Sequence, residues 1–356
     1  MSKRSKPRPS NSDYTYQNHI LQGVSRTFAL TIPQLPDALS DVVSNAYLLC
    51  RIADTIEDDK DLAFPDKKHY SSRFIDVVKG SDEAKDFAAK LVPLLSASTS
   101  EDEKDLIKNT AAVIRISHSF NQRQRQALER CIRLMSDGMS QYQESNVKNG
   151  LKDQGDMDRY CYFVAGVVGE MLTELFCDYS SEINSRHDEL MSLAVSFGQG
   201  LQMTNILKDI WEDQEREMCW LPAELFEKHG IALSRLREAR NSPEFEDALQ
   251  ELIGLAHSHL SNALHYTLLL PKNEIGMRRF CLWALGMAVL TLRKINRNPD
   301  FIAGKQVKIS RRSVKATIFF SNLFTRQNGI LRFLFRVSSS GLPTEKLSDN
   351  FPSNTI

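Results

Sequence analysis

Two short acidic clusters constrain this chain more than any other feature: Asp54-Thr55-Ile56-Glu57-Asp58 and Asp209-Ile210-Trp211-Glu212-Asp213. Each lies in a stretch of helical periodicity. The first Asp, and the Glu and Asp three and four residues on, therefore share one face of one helical turn. Like charges at that spacing cost an isolated helix roughly 0.2–0.5 kcal/mol per pair. A chain that accepts this cost twice has cations to place there, and it places them on helices.

The 356 residues could form two domains on length alone, but one large helical domain fits as well. Apolar residues make up 42% and charged ones 25%, ample for a core. With 45 basic against 45 acidic side chains, no net charge points to nucleic acid as a partner. Only 12 Pro and 16 Gly interrupt a composition whose Leu, Ala, Glu, Arg and Met favour helix. Cys50, Cys131, Cys161, Cys177, Cys219 and Cys281 include no CxxC pair, and several fall on apolar helical faces. They read as reduced, buried thiols of a cytoplasmic protein, not a disulfide framework or a zinc site. The basic N-terminus lacks the apolar stretch of a secretory signal, and no uninterrupted apolar run of ~18 residues supports a spanning helix. The expectation is a soluble or peripheral monomer.

Residues 1–14 are expected to be disordered. A short helix follows, Pro33 and Pro36 interrupt it, and Asp37 or Ser40 caps a long helix carrying the first cluster. Helical periodicity returns over 66–79, 82–97, 101–118 and 120–145. Met157 to Tyr179 reads as one helix, with Val164, Val167, Val168, Met171 and Leu175 at helical spacing. Residues 185–216 read as another, carrying the second cluster, with Pro222 beyond its end. Further helices fit 243–270 and 274–296, the latter nearly all apolar from Phe280 to Leu292. No alternating strand pattern and no linker appears. The reading is all-α, with one main domain over 15–310. A basic and aromatic helical segment follows over 311–337, then a tail over 338–356 rich in Ser, Pro and Asn and expected to be disordered.

Each cluster continues into a polar ribbon. Tyr47, Arg51, Asp54 and Asp58 follow one another at steps of four, three and four. Gln202, Asn205, Asp209, Asp213 and Arg216 do the same on the second helix, with Lys208 and Glu212 alongside. The intervening positions, such as Leu48, Leu49, Ile52, Met203, Ile206 and Leu207, are largely apolar, which suits the wall of a pocket better than a solvated face. A single acidic cluster is more simply a solvated helix face; two with matching stripes favour a site. Hard divalent cations take oxygen ligands and bridge one or two carboxylates to phosphates. Two such helices with Arg and Lys would grip a diphosphate, neutralise it and help it leave.

The segment Tyr160-Cys161-Tyr162-Phe163-Val164-Ala165-Gly166-Val167-Val168-Gly169 places two glycines in an apolar helix, each costing about 1 kcal/mol against Ala. Close helix packing explains them, and so does a smooth trough for a long hydrocarbon with a Tyr hydroxyl in it. Ser25-Arg26-Thr27-Phe28 alone could be a helix cap beside a surface Arg.

Taken together, Ser25-Arg26-Thr27-Phe28, Tyr47-x3-Arg51-x2-Asp54-x2-Glu57-Asp58, Tyr160-Cys-Tyr-Phe-Val-Ala-Gly and Gln202-x-Thr204-Asn205-Ile-Leu-x-Asp209-x2-Glu212-Asp213 resemble the squalene and phytoene synthase family, in order and spacing, over roughly residues 15–310. The resemblance implies an isoprenoid synthase helical bundle around a central cavity. Such enzymes join two prenyl diphosphates head to head through a cyclopropyl intermediate, using Mg²⁺ or Mn²⁺. On this resemblance Asp54, Glu57, Asp58, Asn205, Asp209 and Asp213 form the metal shell. Arg26, Tyr47, Arg51, Gln202, Asn205, Lys208 and Arg216 contact substrate, and Tyr160 assists proton abstraction as the ring closes.

Val24 to Leu30 and Asp54 to Asp59 lean toward squalene synthases, which implies farnesyl diphosphate as substrate, NADPH as reductant and a hydrocarbon precursor of sterols or hopanoids as product. Lys308 of Val307-Lys308-Ile309, with Arg311, would then meet the cofactor. Three positions depart from the pattern: Lys208 replaces an Arg, Met218 stands where an Arg is expected with Arg216 two residues away, and Ser310 displaces a basic residue to Arg311. A point charge in place of a planar fork gives up bidentate phosphate binding. The alternatives are a dehydrosqualene or phytoene synthase that needs no NADPH, on C15 or C20 substrates, and a catalytically inactive assembly relative. Intact carboxylates argue against the last, and the Tyr160 and Ser25-Arg26 motifs against a generic terpene cyclase. The aromatic and cationic residues over 311–337 suit peripheral contact with a membrane, into which a hydrocarbon would be delivered, and equally well a segment that closes the helical core.

Overall fold

In this computed structural model, residues 9–25, 27–144 and 147–347 are described, and every extended regular element among them is helical. The backbone bridge from Leu151 to Pro222 stands alone among the described residues. Two compact units emerge, drawn from interleaved segments: Met1–Glu144 with Met171–Ser185, and Ser145–Glu170 with Arg186–Ile356.

The first unit contains α1 (Asn11–Val24), α2 (Asp37–Asp58), α3 (Phe64–Lys79), α4 (Ala84–Leu91), α5 (Glu101–Lys108), α6 (Thr110–Ser117) and α7 (Gln122–Glu144). α1 begins earlier than expected because Ser10 and Asp13 cap it reciprocally. α2 starts behind Pro36, and Asp37 is its first residue rather than its cap. The 82–97 periodicity resolves into α4 and a tight turn at Val92–Leu94, where Pro93 sits. The 101–118 periodicity breaks at Asn109 into α5 and α6.

α2 packs against α7 and α1, burying Val42, Leu48, Leu49, Ile52 and Ile56. A buried polar knot fixes the register. Asn45 donates to Gln17 Oε1 at 3.1 Å and to the Val113 carbonyl at 3.0 Å, and accepts from Ser117 Oγ at 2.5 Å. Every side-chain group in that knot would cost free energy if orphaned, so the three helices can seat in few other ways.

The second unit contains α8 (Gln154–Cys161), a π-turn over Tyr162–Gly166, and the start of α9 (Val167–Tyr179). It continues with α10 (His187–Lys208), α11 (Ile210–Glu215), α12 (Ala223–Lys228), α13 (Pro243–Leu269), α14 (Ile275–Arg297), α15 (Arg311–Phe324) and α16 (Asn328–Ser338). Two expected long helices are therefore broken. Met157–Tyr179 is interrupted by the π-turn, and 185–216 is broken at Asp209, whose φ of −103° and ψ of 14° leave the helical range. α10 packs on α13, α14 and the π-turn. A Cβ on Gly198 would stand 2.1 Å from the Ala165 carbonyl oxygen, and one on Gly169 2.1 Å from that of Ala194. Close backbone packing thus accounts for Gly169, and the hydrocarbon-trough reading of it is dropped.

α14 is long and apolar enough to cross a membrane, yet Met277, Phe280, Cys281, Trp283, Leu285, Val289 and Leu292 are buried within the unit. Beneath the α15–α16 turn Arg278 is wholly buried. It donates to the carbonyls of Thr325 (2.8 Å) and Leu270 (2.7 Å) and to Asn328 Oδ1 (2.5 Å). A cation capping two helix C-termini is held by their carbonyl dipoles. The tail expected to be disordered from 338 is ordered at its start. His257 Nδ1 donates to the Pro343 carbonyl at 2.7 Å and Ser258 Oγ to that of Glu345 at 2.6 Å. All six cysteines are free and buried.

Candidate active site

The first stripe is as the spacing predicted. Tyr47, Arg51, Asp54 and Glu57 are half-buried and Asp58 is exposed, while Leu48, Leu49, Ile52, Ala53, Thr55 and Ile56 are buried. Tyr47 donates its hydroxyl to the Val24 carbonyl at 3.0 Å, and Arg51 pairs with Glu103 at 2.7 Å. Lys67 Nζ and Gln143 Nε2 both donate to the Glu57 carbonyl, Gln143 at 2.7 Å. The Asp54 and Glu57 carboxylates accept no hydrogen bond among the described residues. Burial, reinforced by the Asp58 charge, pushes Asp54 up to about 7 despite Arg51. Burial pushes Glu57 up to about 8, with Lys67 opposing and Asp58 and Asp54 assisting.

Asp59, next in sequence, behaves oppositely. It is buried and accepts from the N–H groups of Asp61, Leu62 and Ser96 and from Thr99 Oγ1, at 2.7–3.1 Å. Those four bonds outweigh burial and hold its carboxyl below the usual range. Asp59 is a fastener, whereas Asp54 and Glu57 are recessed carboxyls with no donor to them among the described residues. Oxygen donors disfavoured as lone anions are what a hard divalent cation neutralises, so the set fits Mg²⁺. Among the described residues no three His, Cys, Asp or Glu side chains form a ready-made metal cage. Mg²⁺ requires none, since it keeps waters and binds phosphate beside one or two carboxylates.

The second stripe lies at the α10–α11 turn. Gln202, Lys208, Asp209, Glu212 and Asp213 are half-buried, Asn205 and Arg216 are exposed, and Met203, Thr204, Ile206, Leu207, Ile210 and Trp211 are buried. Lys208 Nζ reaches Asp209 Oδ2 at 3.0 Å and Asn205 Oδ1 at 3.4 Å. Because the helix breaks at Asp209, the stripe is a bent ribbon rather than a straight one.

Tyr160 is buried and stacks on Trp220, with ring centroids 3.9 Å apart and planes 7° from parallel. Tyr162 donates instead to the buried Glu170 at 3.3 Å. Lys308 and Arg311 are both exposed, and Ser310 caps α15 through the Ser313 N–H. Arg26 lies outside the described residues, but its neighbour Ser25 is buried and accepts the Phe28 N–H at 3.0 Å. A cavity of about 590 Å³ in the second unit is lined by Gln154, Asp158, Glu251, His259 and Glu345 among others, and by none of the predicted site residues.

Sequence reasoning missed Glu103, Trp220 and Gly304. Only Glu103 had a readable signal, the Ser100-x-x-Glu103 capping box that α5 in fact uses. Trp220 and Gly304 meet their partners through tertiary packing that no local spacing encodes.

The family model described as squalene/phytoene synthase matches residues 21–313. The squalene synthase of Gibberella zeae is 27% identical over 325 residues, covering 90% of this chain and 67% of that protein. Squalene synthase BSS of Botryococcus braunii is 29% identical over 341 residues, covering 92% and 69%. Among solved structures, a ligand complex of TcSQS superposes with a TM-score of 0.80 at 22% identity, covering 95% of this chain and 94% of that one. A dehydrosqualene synthase complex gives 0.61 at 18%, covering 88% and 97%. These two likenesses concern the fold. The chain belongs to the squalene/phytoene synthase family and is an all-α prenyltransferase of the squalene synthase type.

Proposed function

We propose that this protein joins two molecules of farnesyl diphosphate head to head, through presqualene diphosphate, to squalene, using Mg²⁺ and NADPH. The observation that carries the reading is the chemistry of the first stripe: two recessed carboxylates without hydrogen-bond donors among the described residues, on a helix whose neighbouring positions Ile52, Ala53, Thr55 and Ile56 are buried. Bound Mg²⁺ would supply charge neutralisation for departing diphosphate. Asp54, Glu57 and Asp58 form one proposed set of Mg²⁺ ligands, and Asn205, Asp209 and Asp213 a second set. Arg51, kept charged beside Asp54 and Glu103, and Lys208 would meet phosphate oxygens. Tyr47, Gln202 and Arg216 line the same stripes, and Arg26 joins them on the family motif. Tyr160, its ring plane fixed by Trp220, would take up the proton lost as the cyclopropane closes and pass it to the leaving diphosphate.

The reductive half is carried by Lys308 and Arg311. Both are exposed, and Ser310 stands between them where the family pattern has a basic residue, which favours dehydrosqualene synthesis without NADPH as the second reading. Incubation with farnesyl diphosphate and Mg²⁺, with and without NADPH, followed by identification of the hydrocarbon, separates the two. Squalene formed only with NADPH supports the first, the same dehydrosqualene in both supports the second, and no hydrocarbon refutes both. We place the reaction at a cytoplasmic membrane face, with α15 and α16 as the contact.

A further inference from the structure

The two clusters look alike in sequence, but their glutamates do different things. The Glu57 carboxylate accepts no hydrogen bond among the described residues, whereas Glu212 Oε1 accepts the backbone N–H of Gly304 at 2.8 Å. Glu212 Oε2 is buried and has no partner among the described residues. Gly304 is itself buried. A Cβ there would stand 2.8 Å from the Lys208 carbonyl oxygen, 2.9 Å from Asp209 Oδ1 and 3.3 Å from Glu212 Oε1. Its φ is not in the left-handed region, so the acidic turn's proximity, not backbone geometry, demands glycine.

The loop that carries Gly304 is well fastened. Gln306 Oε1 accepts the N–H groups of Ile302 at 2.7 Å and Ala303 at 3.3 Å. Phe301 lies edge-on to Trp211 with centroids 6.3 Å apart, and Lys294 donates to the Lys308 carbonyl at 2.7 Å. Residues 301–308 therefore touch the acidic turn through an aromatic contact, a charge-assisted hydrogen bond and a glycine with no room for a side chain.

We propose that Glu212 is a positioning residue: its carboxylate fastens the 301–308 loop to the α10–α11 turn, so that the Lys308 segment and the Asp209 and Asp213 carboxylates are set as one piece. The coupling to metal rests on the function proposed above; the tether does not. Displacing the loop at Gly304 disturbs Asp209, and releasing Glu212 frees the loop.

Two measurements on the full chain test this. Hydrogen exchange of the metal-free protein, followed by mass spectrometry over 302–308, is expected to quicken about tenfold or more in Glu212→Ala. In Glu212→Gln, which keeps an acceptor oxygen, it should quicken less than about threefold. Calorimetric titration with Mg²⁺ and inorganic pyrophosphate is expected to show about tenfold weaker binding in Gly304→Ala, since the Asp209 oxygen beside the added methyl would be displaced from its place against the ion. Wild-type exchange rates in Glu212→Ala overturn the tether. Wild-type pyrophosphate affinity in Gly304→Ala overturns the coupling. A wild-type protein that takes up no magnesium pyrophosphate overturns the coupling together with the proposed function, while the exchange arm still decides the tether. Gly304→Ala keeps the Glu212 carboxylate, so its exchange pattern is read even where Glu212→Ala fails to fold.

Discussion

Tyr160 lies flat against Trp220, ring centroids 3.9 Å apart and planes 7° from parallel. Such a contact contributes roughly 0.5–1.5 kcal/mol beyond the area it buries, and it removes rotation of the phenol out of one plane. The stack thus fixes the plane in which the hydroxyl lies. A group that must meet a proton at one moment in a reaction gains from being held before that moment.

Tyr160→Phe keeps the stack and loses the hydroxyl. Cyclopropyl intermediate formation is expected to fall by ~100- to 10,000-fold, the usual worth of a positioned proton acceptor, with substrate affinity and melting temperature near wild type. Trp220→Leu keeps the hydroxyl and loses the plane, and a fall of about tenfold is expected. Rapid-quench measurement of the intermediate checks both. A Tyr160→Phe protein with unchanged first half-reaction would shift the role to Tyr162.

Asp54 sets stability against function. Its carboxyl ordinarily titrates at 3.8 and here, through burial and then Asp58, at about 7. The folded metal-free protein thus holds a proton that the unfolded chain releases. This contribution to stability is fully present below 3.8 and is lost as pH rises through about 7. Asp54→Asn should therefore melt a few degrees higher than wild type at about pH 8 without metal, while turnover falls at least ~100-fold. Asp209→Asn should show the same loss of turnover. Scanning calorimetry beside the product assay decides; equal melting at that pH, or near-normal turnover in both variants, contradicts the assignment.

Asp59→Ala should do the reverse of Asp54→Asn. It strips acceptors from three backbone N–H groups and Thr99 in a buried corner, so a loss of about 3 kcal/mol is expected in chemical denaturation. A loss below about 1 kcal/mol would mean those donors find water instead.

These two neighbours show how far the sequence could be read. Periodicity placed Asp54, Glu57 and Asp58 on one stripe and the apolar residues behind it, because a helix repeats at a fixed angle whatever surrounds it. It could not separate Asp59 from Asp54, since two of the four donors that hold Asp59 come from residues 96 and 99, far along the chain. Nor could it see the break at Asp209, where Gly304 approaches from far along the chain. Gly169 and Gly198 show the same limit: their demand for glycine comes from carbonyls on the helix opposite. The capping box at Ser10 was local and legible, yet composition alone assigned that stretch to disorder.

His259 supplies an acid-side prediction. It is buried, its Nδ1 lies 2.8 Å from Ser196 Oγ, and burial lowers it from 6.5 to about 4. The unfolded chain takes up this proton first, so the stability that neutral His259 contributes is full above 6.5 and is lost as pH falls through about 4. His259→Gln should flatten the decline of melting temperature across that window. A slope identical to wild type would show that other groups govern the acid limb.

The last prediction concerns α15 and α16. Phe319, Phe320, Leu323, Ile330, Phe333 and Val337 are all large, apolar and exposed, Phe319 and Phe333 each to 61%. On α16 Ile330, Phe333 and Val337 recur at steps of three and four and so share a face. The same stretch carries Arg311, Arg312, Lys315, Arg326, Arg332 and Arg336, and no Asp or Glu occurs between Arg311 and Thr344 in a chain whose overall charge is zero. A second copy of this surface would meet like charge, whereas an anionic bilayer offers both the apolar phase and the opposite sign. Arg278 fixes the turn between the helices, so the face is presented rigidly. Because these side chains contribute little to the core, replacing Phe319, Phe320 and Phe333 together by Ser should leave the melting temperature within a few degrees of wild type. Co-sedimentation with vesicles rich in anionic lipid should fall about tenfold or more, and raised salt should weaken wild-type binding as well. Undiminished sedimentation of the triple variant would remove the membrane from this face, and a dimer that dissociates in the variant would assign the face to a second copy instead.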